Sequence, residues 1–268
     1  MRVDLAPTLR ASLRARVPDG FRNRPNRPLL MVVHATRSYD RSGSVEYPIN
    51  KTIDRLCPDL NLLEIEEKRG PSYLALPQGL RTSREYAGTL LHRSFFDKFA
   101  ELIESTNTFI FIGGRANRCL TNAFLSVLIA KITPLERLFA NRESILNVQM
   151  ELPGLLRQAL TAAGPTLNFH FYSGAIYPSH SDLKMVSRRS EYLDWSPNIP
   201  YIVTASMGAK NQRLLARSGL VLVNHVDGIT LDKVNGSSDR QVNLFYWHSL
   251  VQLAEHFTAA GFLANGQA

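Results

Sequence analysis

Residues 108–132 read TFIFIGGRANRCLTNAFLSVLIAKI, and the fold prediction begins from this stretch. Its first part, Thr108 to Ile112, is a continuous run of apolar, β-branched and aromatic residues, which is typical of a strand buried on both faces. Two glycines end the run, and the apolar residues from 117 to 131 predict a helix that ends before Pro134. A buried strand that leads into a helix is the repeating unit of parallel α/β sheets.

Similar units recur along the rest of the chain. Short apolar runs bounded by turn residues predict strands, and apolar residues at helical spacing predict helices between them. The predicted strands cover residues 29–33, 60–65, 167–172, 201–205 and 220–223, and the predicted helices cover 83–105, 152–163, 210–216 and 244–261. This alternation predicts an α/β fold, a three-layer α/β/α Rossmann-like domain with a mostly parallel sheet of five or six strands.

Composition excludes several other classes of protein. The 268 residues are 44% hydrophobic and 20% charged, as in ordinary globular proteins and unlike disordered, collagenous or coiled-coil chains. Two cysteines are too few for a disulfide framework or a cysteine-rich zinc site. No stretch reaches the roughly 18 apolar residues that a membrane span requires. We therefore expect a cytoplasmic protein that has no membrane partner.

The charge of the chain is concentrated at its beginning. The formal net charge is +8, and residues 1–28 hold seven arginines against two aspartates. An arginine-rich, acid-poor segment predicts contact with nucleic acid or with an acidic partner protein, whereas the plainer interpretation is an exposed basic helix. The remaining residues are nearly balanced in charge. Segment 1–28 is thus the candidate partner surface.

Cys119 is the candidate nucleophile. It follows the buried strand after the turn Gly113-Gly-Arg-Ala-Asn-Arg and falls in the first turn of the next helix. Unpaired N–H groups and the helix dipole stabilise an anion at that place, and Arg115 and Arg118 act in the same direction, so we expect a large thiolate fraction. The plainer interpretation is a buried cysteine that acts as a small hydrophobe. Cys57 is expected to be inert.

The turn and Cys119 resemble the nucleophile loop of the isochorismatase-like cysteine hydrolases, which include nicotinamidases and other amidases. In this resemblance Gly113-Gly-Arg-Ala-Asn-Arg-Cys119-Leu matches the family's order of strand, glycine, five residues, cysteine and aliphatic residue. Lys68-Arg-Gly-Pro-Ser72-Tyr73 resembles the family's lysine segment, and Asp4 is the candidate for its aspartate. The resemblance implies a Rossmann-like sheet that carries an Asp-Lys-Cys triad, here Asp4, Lys68 and Cys119.

The same resemblance implies a reaction. The thiolate of Cys119 attacks the carbonyl carbon of a small amide, the carboxylate of Asp4 takes and returns the proton, and the ammonium of Lys68 keeps that carboxylate ionised. The C–N bond of the amide is hydrolysed, and neither a cofactor nor a metal is expected. The residues expected to bind the substrate are those of the turn and one residue at a strand end: Gly113, Arg115, Ala116, Asn117 and His34.

Two features leave the triad and the domain limits open. If residues 29–33 are the family's first strand, His34 takes the place of the aspartate and the triad is incomplete. The chain continues for 149 residues after Cys119, further than is usual in the family. Residues 220–227 and the final helix nevertheless resemble the family's closing strand and helix. We therefore expect a single α/β domain over residues 1–268, with an insertion at about 133–217.

Other hypotheses stay open beside the hydrolase. A catalytically inactive scaffold or binding protein of the same fold would contact nucleic acid or an acidic partner through residues 1–28. The segment 204–210 joins a strand to a helix and could seat a phosphate. The sequence also leaves a homo-oligomer open. A metal site would draw on side chains whose spacing matches no metal motif, namely His225, Asp227 and either His170 or His180.

Overall fold

The computed structural model describes residues 26–36, 45–66, 72–76, 83–86, 102–115, 119–132, 164–177, 220–233 and 240–264. Its strands are β1 (Leu29–Val33), β2 (Asn61–Glu66), β3 (Ser83–Tyr86), β4 (Thr108–Gly113), β5 (Leu167–Tyr172), β6 (Leu220–Val226), β7 (Ile229–Lys233) and β8 (Arg240–Trp247). Its α-helices are α1 (Glu46–Leu56), α2 (Thr121–Ile132) and α3 (Leu250–Ala259), and residues 102–105 are also helical.

The strands form one sheet in the order β3-β2-β1-β4-β5-β8-β6-β7. From β3 to β6 in that order each described strand is parallel to its neighbours, and β7 runs antiparallel to β6 in a hairpin. Helix α2 covers one face of the sheet, and helices α1 and α3 cover the other. The predicted class, a Rossmann-like α/β fold with a mostly parallel sheet between helices, is confirmed.

The position of α2 over the sheet is fixed by an aromatic cluster. Strand β4 lies in the middle of the sheet, and all of its residues are buried. Phe124 of α2 meets Phe111, Phe169 and Phe171 edge to face, with ring centroids 4.9–6.5 Å apart. Such aromatic contacts add to the hydrophobic gain of burial. They hold α2 over β4 and β5 and thereby fix where the helix begins.

The structure corrects the predicted elements at several places. Residues 244–247, predicted as helix, belong to β8, and α3 begins at Leu250. Residues 83–86, also predicted as helix, form β3. No pattern predicts α1 or β7. Because β3, β7 and β8 all join the sheet, the described residues form eight strands instead of the predicted five or six. The predicted strand and helices at 201–205, 152–163 and 210–216, and the segment 204–210, lie outside the described residues.

The error at β8 has a local cause. Leu244, Trp247 and Leu250 recur at a spacing of three, which fits a helix, whereas β8 is apolar on both faces and so shows no strand alternation. Ser249 separates the two elements, because its hydroxyl oxygen accepts the N–H of Gln252 and caps α3. Before this cap, β8 pairs along its length with β5 and β6. Pairing within the sheet therefore overrides the helical spacing.

Strand β5 bears on the predicted insertion. It lies within the range 133–217, yet it is a central strand that pairs with β4 and β8. Any insertion in this range would therefore lie before or after β5. The domain limits stay a prediction. No helix in the described ranges is long and apolar enough to cross a membrane.

His170 of β5 is buried within the sheet. Its ring stacks on Phe245 with centroids 4.6 Å apart. The indole N–H of Trp247 donates to His170 Nδ1 at 3.1 Å, so this nitrogen carries no proton in the folded protein. Burial, followed by the nearby His256 and His225, holds the pKa of His170 well below its ordinary value. The fold therefore keeps His170 neutral.

We expect the free energy of unfolding to fall as the pH is lowered below about 6.5. The unfolded chain then binds a proton at His170 that the folded protein excludes, which costs about 1.4 kcal/mol per pH unit. Urea unfolding between pH 7.5 and pH 5 measures this slope, and His170→Gln should flatten it by one proton. An unchanged slope in the variant would contradict the assignment.

Candidate active site

The strand order places a topological switch point between β1 and β4. From β1 the chain continues to β2 on one side, and from β4 it continues to β5 on the other. In open parallel sheets, ligands bind in the crevice outside the carboxyl ends of two such strands. His34 follows β1, and the turn that leads to Cys119 follows β4. These predicted site residues therefore lie where this class of fold binds its ligands.

The turn after β4 depends on a pair of glycines. Gly113 pairs with Val33 of β1 and has a φ of +73°. A Cβ atom on Gly113 would lie 2.2 Å from the carbonyl oxygen of Val33, a backbone atom that pairing holds in place. Gly114 follows with a φ of +61°. Both residues thus occupy the left-handed region that favours glycine, and no side chain fits at Gly113.

Cys119 lies directly before α2, and its side chain is partly exposed. The side chain packs against the hydrophobic cluster beneath α2. The backbone N–H of Arg115 donates to Cys119 Sγ at 3.2 Å, and the N–H of Leu120 donates to the carbonyl oxygen of Arg115 at 3.2 Å. The turn therefore folds back so that a main-chain donor points at the sulfur.

Cys57 has a different environment from Cys119. It follows α1 and is fully buried among apolar side chains. Burial raises the pKa of the Cys57 thiol, and the nearby Asp54 raises it further. A thiol of this kind reacts slowly because the thiolate is the nucleophilic form. This agrees with the expectation that Cys57 is inert.

Two tyrosines fix the segments around the crevice. The hydroxyl of Tyr177 donates to the carbonyl oxygen of His34 at 3.3 Å, and the hydroxyls of Tyr177 and Tyr73 lie 2.6 Å apart. The backbone N–H of Tyr177 donates to the carbonyl oxygen of Gly114 at 2.9 Å. These bonds tie together the segments that follow β1, β2, β4 and β5. The sequence does not predict a role for these tyrosines, because the residues around them do not distinguish them from other core aromatics.

The predicted site residues are thus only partly described. The ends of β1 and β4 bring together His34, Gly113, Arg115 and Cys119. The backbone of His34 has a φ of +59°, and the residue is 2% exposed. The other predicted residues lie outside the described ranges, and their roles stay predictions: Asp4, Lys68, Ala116 and Asn117.

The neighbours of β4 limit how an acid could reach Cys119. Strand β4 pairs with β1 on one side and with β5 on the other. These neighbours continue into His34 and Ser173, neither of which is acidic. A carboxylate from Asp4 would therefore have to approach the sulfur from somewhere other than a strand paired with β4. His34 occupies the position that the alternative assignment of the first strand gives to it.

Asp227 and His248 form a second polar group at the same edge of the sheet. The catalytic residues predicted from the sequence do not include them. Asp227 and Gly228 form the turn between β6 and β7, with φ values of +48° and +84°. Asp227 Oδ1 accepts the backbone N–H of His248 at 2.9 Å, and Asp227 Oδ2 lies 2.6 Å from His248 Nδ1. The Asp-Gly turn is the one sequence signal for this site, since it predicts a hairpin there.

The contacts of the described residues give the metal hypothesis no support, and His180 lies outside the described ranges. His225 Nε2 lies 3.2 Å from Asn243 Oδ1, and its Nδ1 lies 3.0 Å from Thr230 Oγ1. Asp227 bonds to His248 instead, and His170 bonds to Trp247. In the part of the chain that the structure describes, no three His, Cys, Asp or Glu side chains are grouped to hold a metal ion.

A comparison with solved structures finds a protein of similar structure. No family model matches the chain, and no curated protein sequence matches it. Among solved structures, the MAR1 ribonuclease from Caenorhabditis elegans is similar to this chain at 15% identity and a TM-score of 0.31. The similarity covers 72% of this chain and 90% of that one. Because it is low, this similarity carries no argument about function.

We expect Gly113→Ala to lower the free energy of unfolding by about 3 kcal/mol or more, because overpacking against Val33 adds to the strain of a positive φ. Gly228→Ala is the matched control. Gly228 also has a positive φ, but a Cβ atom there meets no atom within 4 Å. Its cost should be about 1 kcal/mol. Urea unfolding of both variants measures the difference, and equal losses would contradict the close approach of β1 and β4.

Proposed function

We propose that the chain is a thiol hydrolase of the isochorismatase-like type that acts on the C–N bond of a small amide, with Cys119 as the nucleophile. One observation carries the proposal: a partly exposed thiol at the start of α2 receives the backbone N–H of Arg115 at 3.2 Å. This donor and the helix dipole stabilise negative charge on sulfur. A cysteine with such contacts beside a ligand crevice is suited to attack a carbonyl carbon.

The proposed reaction has two steps. In the first step the Cys119 sulfur forms a bond to the carbonyl carbon of the amide, and the C–N bond breaks. The nitrogen leaves with the proton that the thiol gave up, so an acyl thioester remains on Cys119. In the second step the oxygen of water bonds to the acyl carbon, the C–S bond breaks, and the thiol regains a proton. Each step passes through an oxyanion that backbone N–H groups stabilise.

The remaining roles follow the resemblance to the family. Asp4 takes and returns the proton, and Lys68 keeps the Asp4 carboxylate ionised. Gly113, Arg115, Ala116 and Asn117 supply the turn whose N–H groups bind the oxyanion, and His34 completes the crevice. The position of Gly113 and Arg115 beside Cys119 supports the role of the turn. For Asp4 and Lys68 the support is the similarity of sequence.

We expect the full chain to release ammonia or an amine from at least one member of a panel of small aliphatic and aromatic amides. Cys119→Ser should lower kcat/KM by about 10³-fold or more, because it removes the nucleophile. Cys57→Ala is the matched control, since Cys57 is buried away from the crevice, and it should keep the activity. Hydrolysis that survives in Cys119→Ser would contradict the proposed nucleophile, as would a panel in which no amide is hydrolysed.

A second candidate function has one observation in its favour. The strands beside β4 continue into His34 and Ser173, so neither brings an acid to Cys119 directly at its end. This favours a catalytically inactive protein of the same fold, whose basic segment 1–28 binds nucleic acid or an acidic partner. Within that segment Arg27 is used internally, since its guanidinium donates to the carbonyl oxygen of Phe262 at 2.8 Å. Residues 1–25 would carry the contact.

Deletion of residues 1–25 separates the two functions. If the chain is the binding protein, the deletion should abolish retention on immobilised single-stranded nucleic acid at low salt and leave the melting temperature unchanged. Retention by the full chain should fall steeply with salt, because displaced counterions drive binding to phosphates. If the chain is the hydrolase, the deletion removes Asp4 and should lower the amidase rate. Equal retention with and without the segment would exclude the binding function.

A further inference from the structure

The segment 72–76 is held beside the carboxyl end of β1. Ser72 forms an antiparallel bridge with Thr36, and the backbone N–H of Tyr73 donates to the carbonyl oxygen of Ala35 at 3.1 Å. The hydroxyl of Ser72 also approaches the carbonyl oxygen of Ala35, at 3.4 Å. The segment therefore runs along the backbone that leaves β1, where the crevice begins.

Asn50 of α1 binds the same segment with both polar atoms of its amide. Its Nδ2 donates to the carbonyl oxygen of Tyr73 at 3.1 Å, and its Oδ1 accepts the backbone N–H of Ala75 at 2.8 Å. A carbonyl oxygen can only accept and an N–H can only donate, so a single orientation of the amide satisfies both. Asn50 thus pairs with the backbone of the segment as a neighbouring strand would.

Chain connectivity ties Lys68 to this clamp. Consecutive Cα atoms are about 3.8 Å apart, so the Cα atom of Lys68 is at most about 8 Å from that of Glu66 and about 15 Å from that of Ser72. Glu66 ends β2, which pairs with β1, and the backbone N–H of His34 donates to the carbonyl oxygen of Ile65 at 2.6 Å. The described residues on either side of Lys68 therefore lie at the edge of the sheet that forms the crevice.

We propose that Asn50 is a positioning residue of the thiol hydrolase, an inference that rests on the proposed function: its amide fixes the segment 72–76 and thereby holds Lys68 beside the Asp4 carboxylate. Asn50 acts through the backbone and takes no part in proton transfer, so the roles of Asp4 and Lys68 are unchanged. Coulomb attraction weakens as two charges move apart. A segment free to shift would separate the ammonium from the carboxylate and slow hydrolysis, while the nucleophile stays intact.

The test uses variants of the full chain. Asn50→Leu removes both hydrogen bonds, whereas Asn50→Asp keeps an acceptor for the Ala75 N–H and places a second oxygen against the Tyr73 carbonyl. When the introduced carboxyl group is protonated it donates again, so acid restores the clamp in this variant. Thr52→Val is the matched control, because it removes a bond within the same helix, from the Thr52 hydroxyl to the Pro48 carbonyl oxygen at 2.8 Å.

Both Asn50 variants should lower kcat/KM at pH 7.5 by about 10-fold or more, measured with the amide that the natural chain hydrolyses fastest. As the pH falls from 7.5 to 5, the rate of Asn50→Asp relative to the natural chain should rise, while that of Asn50→Leu stays constant. Ala75 is exposed, so water can replace the lost bond and both variants should fold. Alkylation of Cys119 by iodoacetamide should keep the natural rate, and Thr52→Val should match the natural chain throughout.

The outcomes separate this inference from the proposed function. An unchanged kcat/KM in Asn50→Leu, or a relative rate of Asn50→Asp that does not vary with pH, would overturn the inference while the hydrolase stands. Slower alkylation of Cys119 in Asn50→Leu would also overturn it, because the clamp would then support the nucleophile turn instead of Lys68. A natural chain that hydrolyses no amide would contradict the proposed function and this inference with it.

Discussion

The close approach of β4 to β1 at their carboxyl ends is the constraint on which the site depends. Gly113 lies directly against the Val33 carbonyl, where any side chain would meet backbone. Because the two strands remain paired up to that residue, the chain can leave the sheet only through the left-handed pair Gly113-Gly114. This turn decides where α2 begins, and with it the direction of the Arg115 N–H that meets the Cys119 sulfur.

The same edge of the sheet is reinforced from both sides. Tyr177 joins the Gly114 carbonyl to the His34 carbonyl, and Phe124 anchors α2 on the aromatic layer of β4 and β5. The Cys119 turn is therefore held between a tyrosine pair and a packed helix. Such support lets a short loop keep a donor aimed at one atom, which an isolated turn would not do. The surrounding core thus fixes the geometry of the turn around Cys119.

Much of the fold follows from short-range patterns of residues in the sequence. Strands β1, β4 and β5 are continuous apolar runs, and the Gly113-Gly114 pair marks the end of β4, so the place of Cys119 between a buried strand and a helix could be predicted. The start of α3 could not, because Leu244, Trp247 and Leu250 keep a helical spacing and only pairing with β5 and β6 makes residues 244–247 a strand.

The rest of the site depends on long-range contacts. Asp227 and His248 are separated by the whole of β7 and β8, and Tyr73 and Tyr177 by more than a hundred residues. Neither pair leaves a local pattern, because the contacts exist only once the sheet has formed. The place of Asp4 stays a prediction for a related reason: which strands flank β4 is a property of sheet order, and the sequence of Met1-Arg-Val-Asp4 carries no information about it.

The reactivity of the two thiols tests the central claim most directly. The folded chain is treated with iodoacetamide near neutral pH, and the alkylation of each cysteine is followed by peptide mass spectrometry. The account predicts that Cys119 is alkylated faster than free cysteine, while Cys57 stays unmodified until the chain is unfolded. Slow alkylation of both cysteines in the folded state, with rates that become equal only in denaturant, would contradict it.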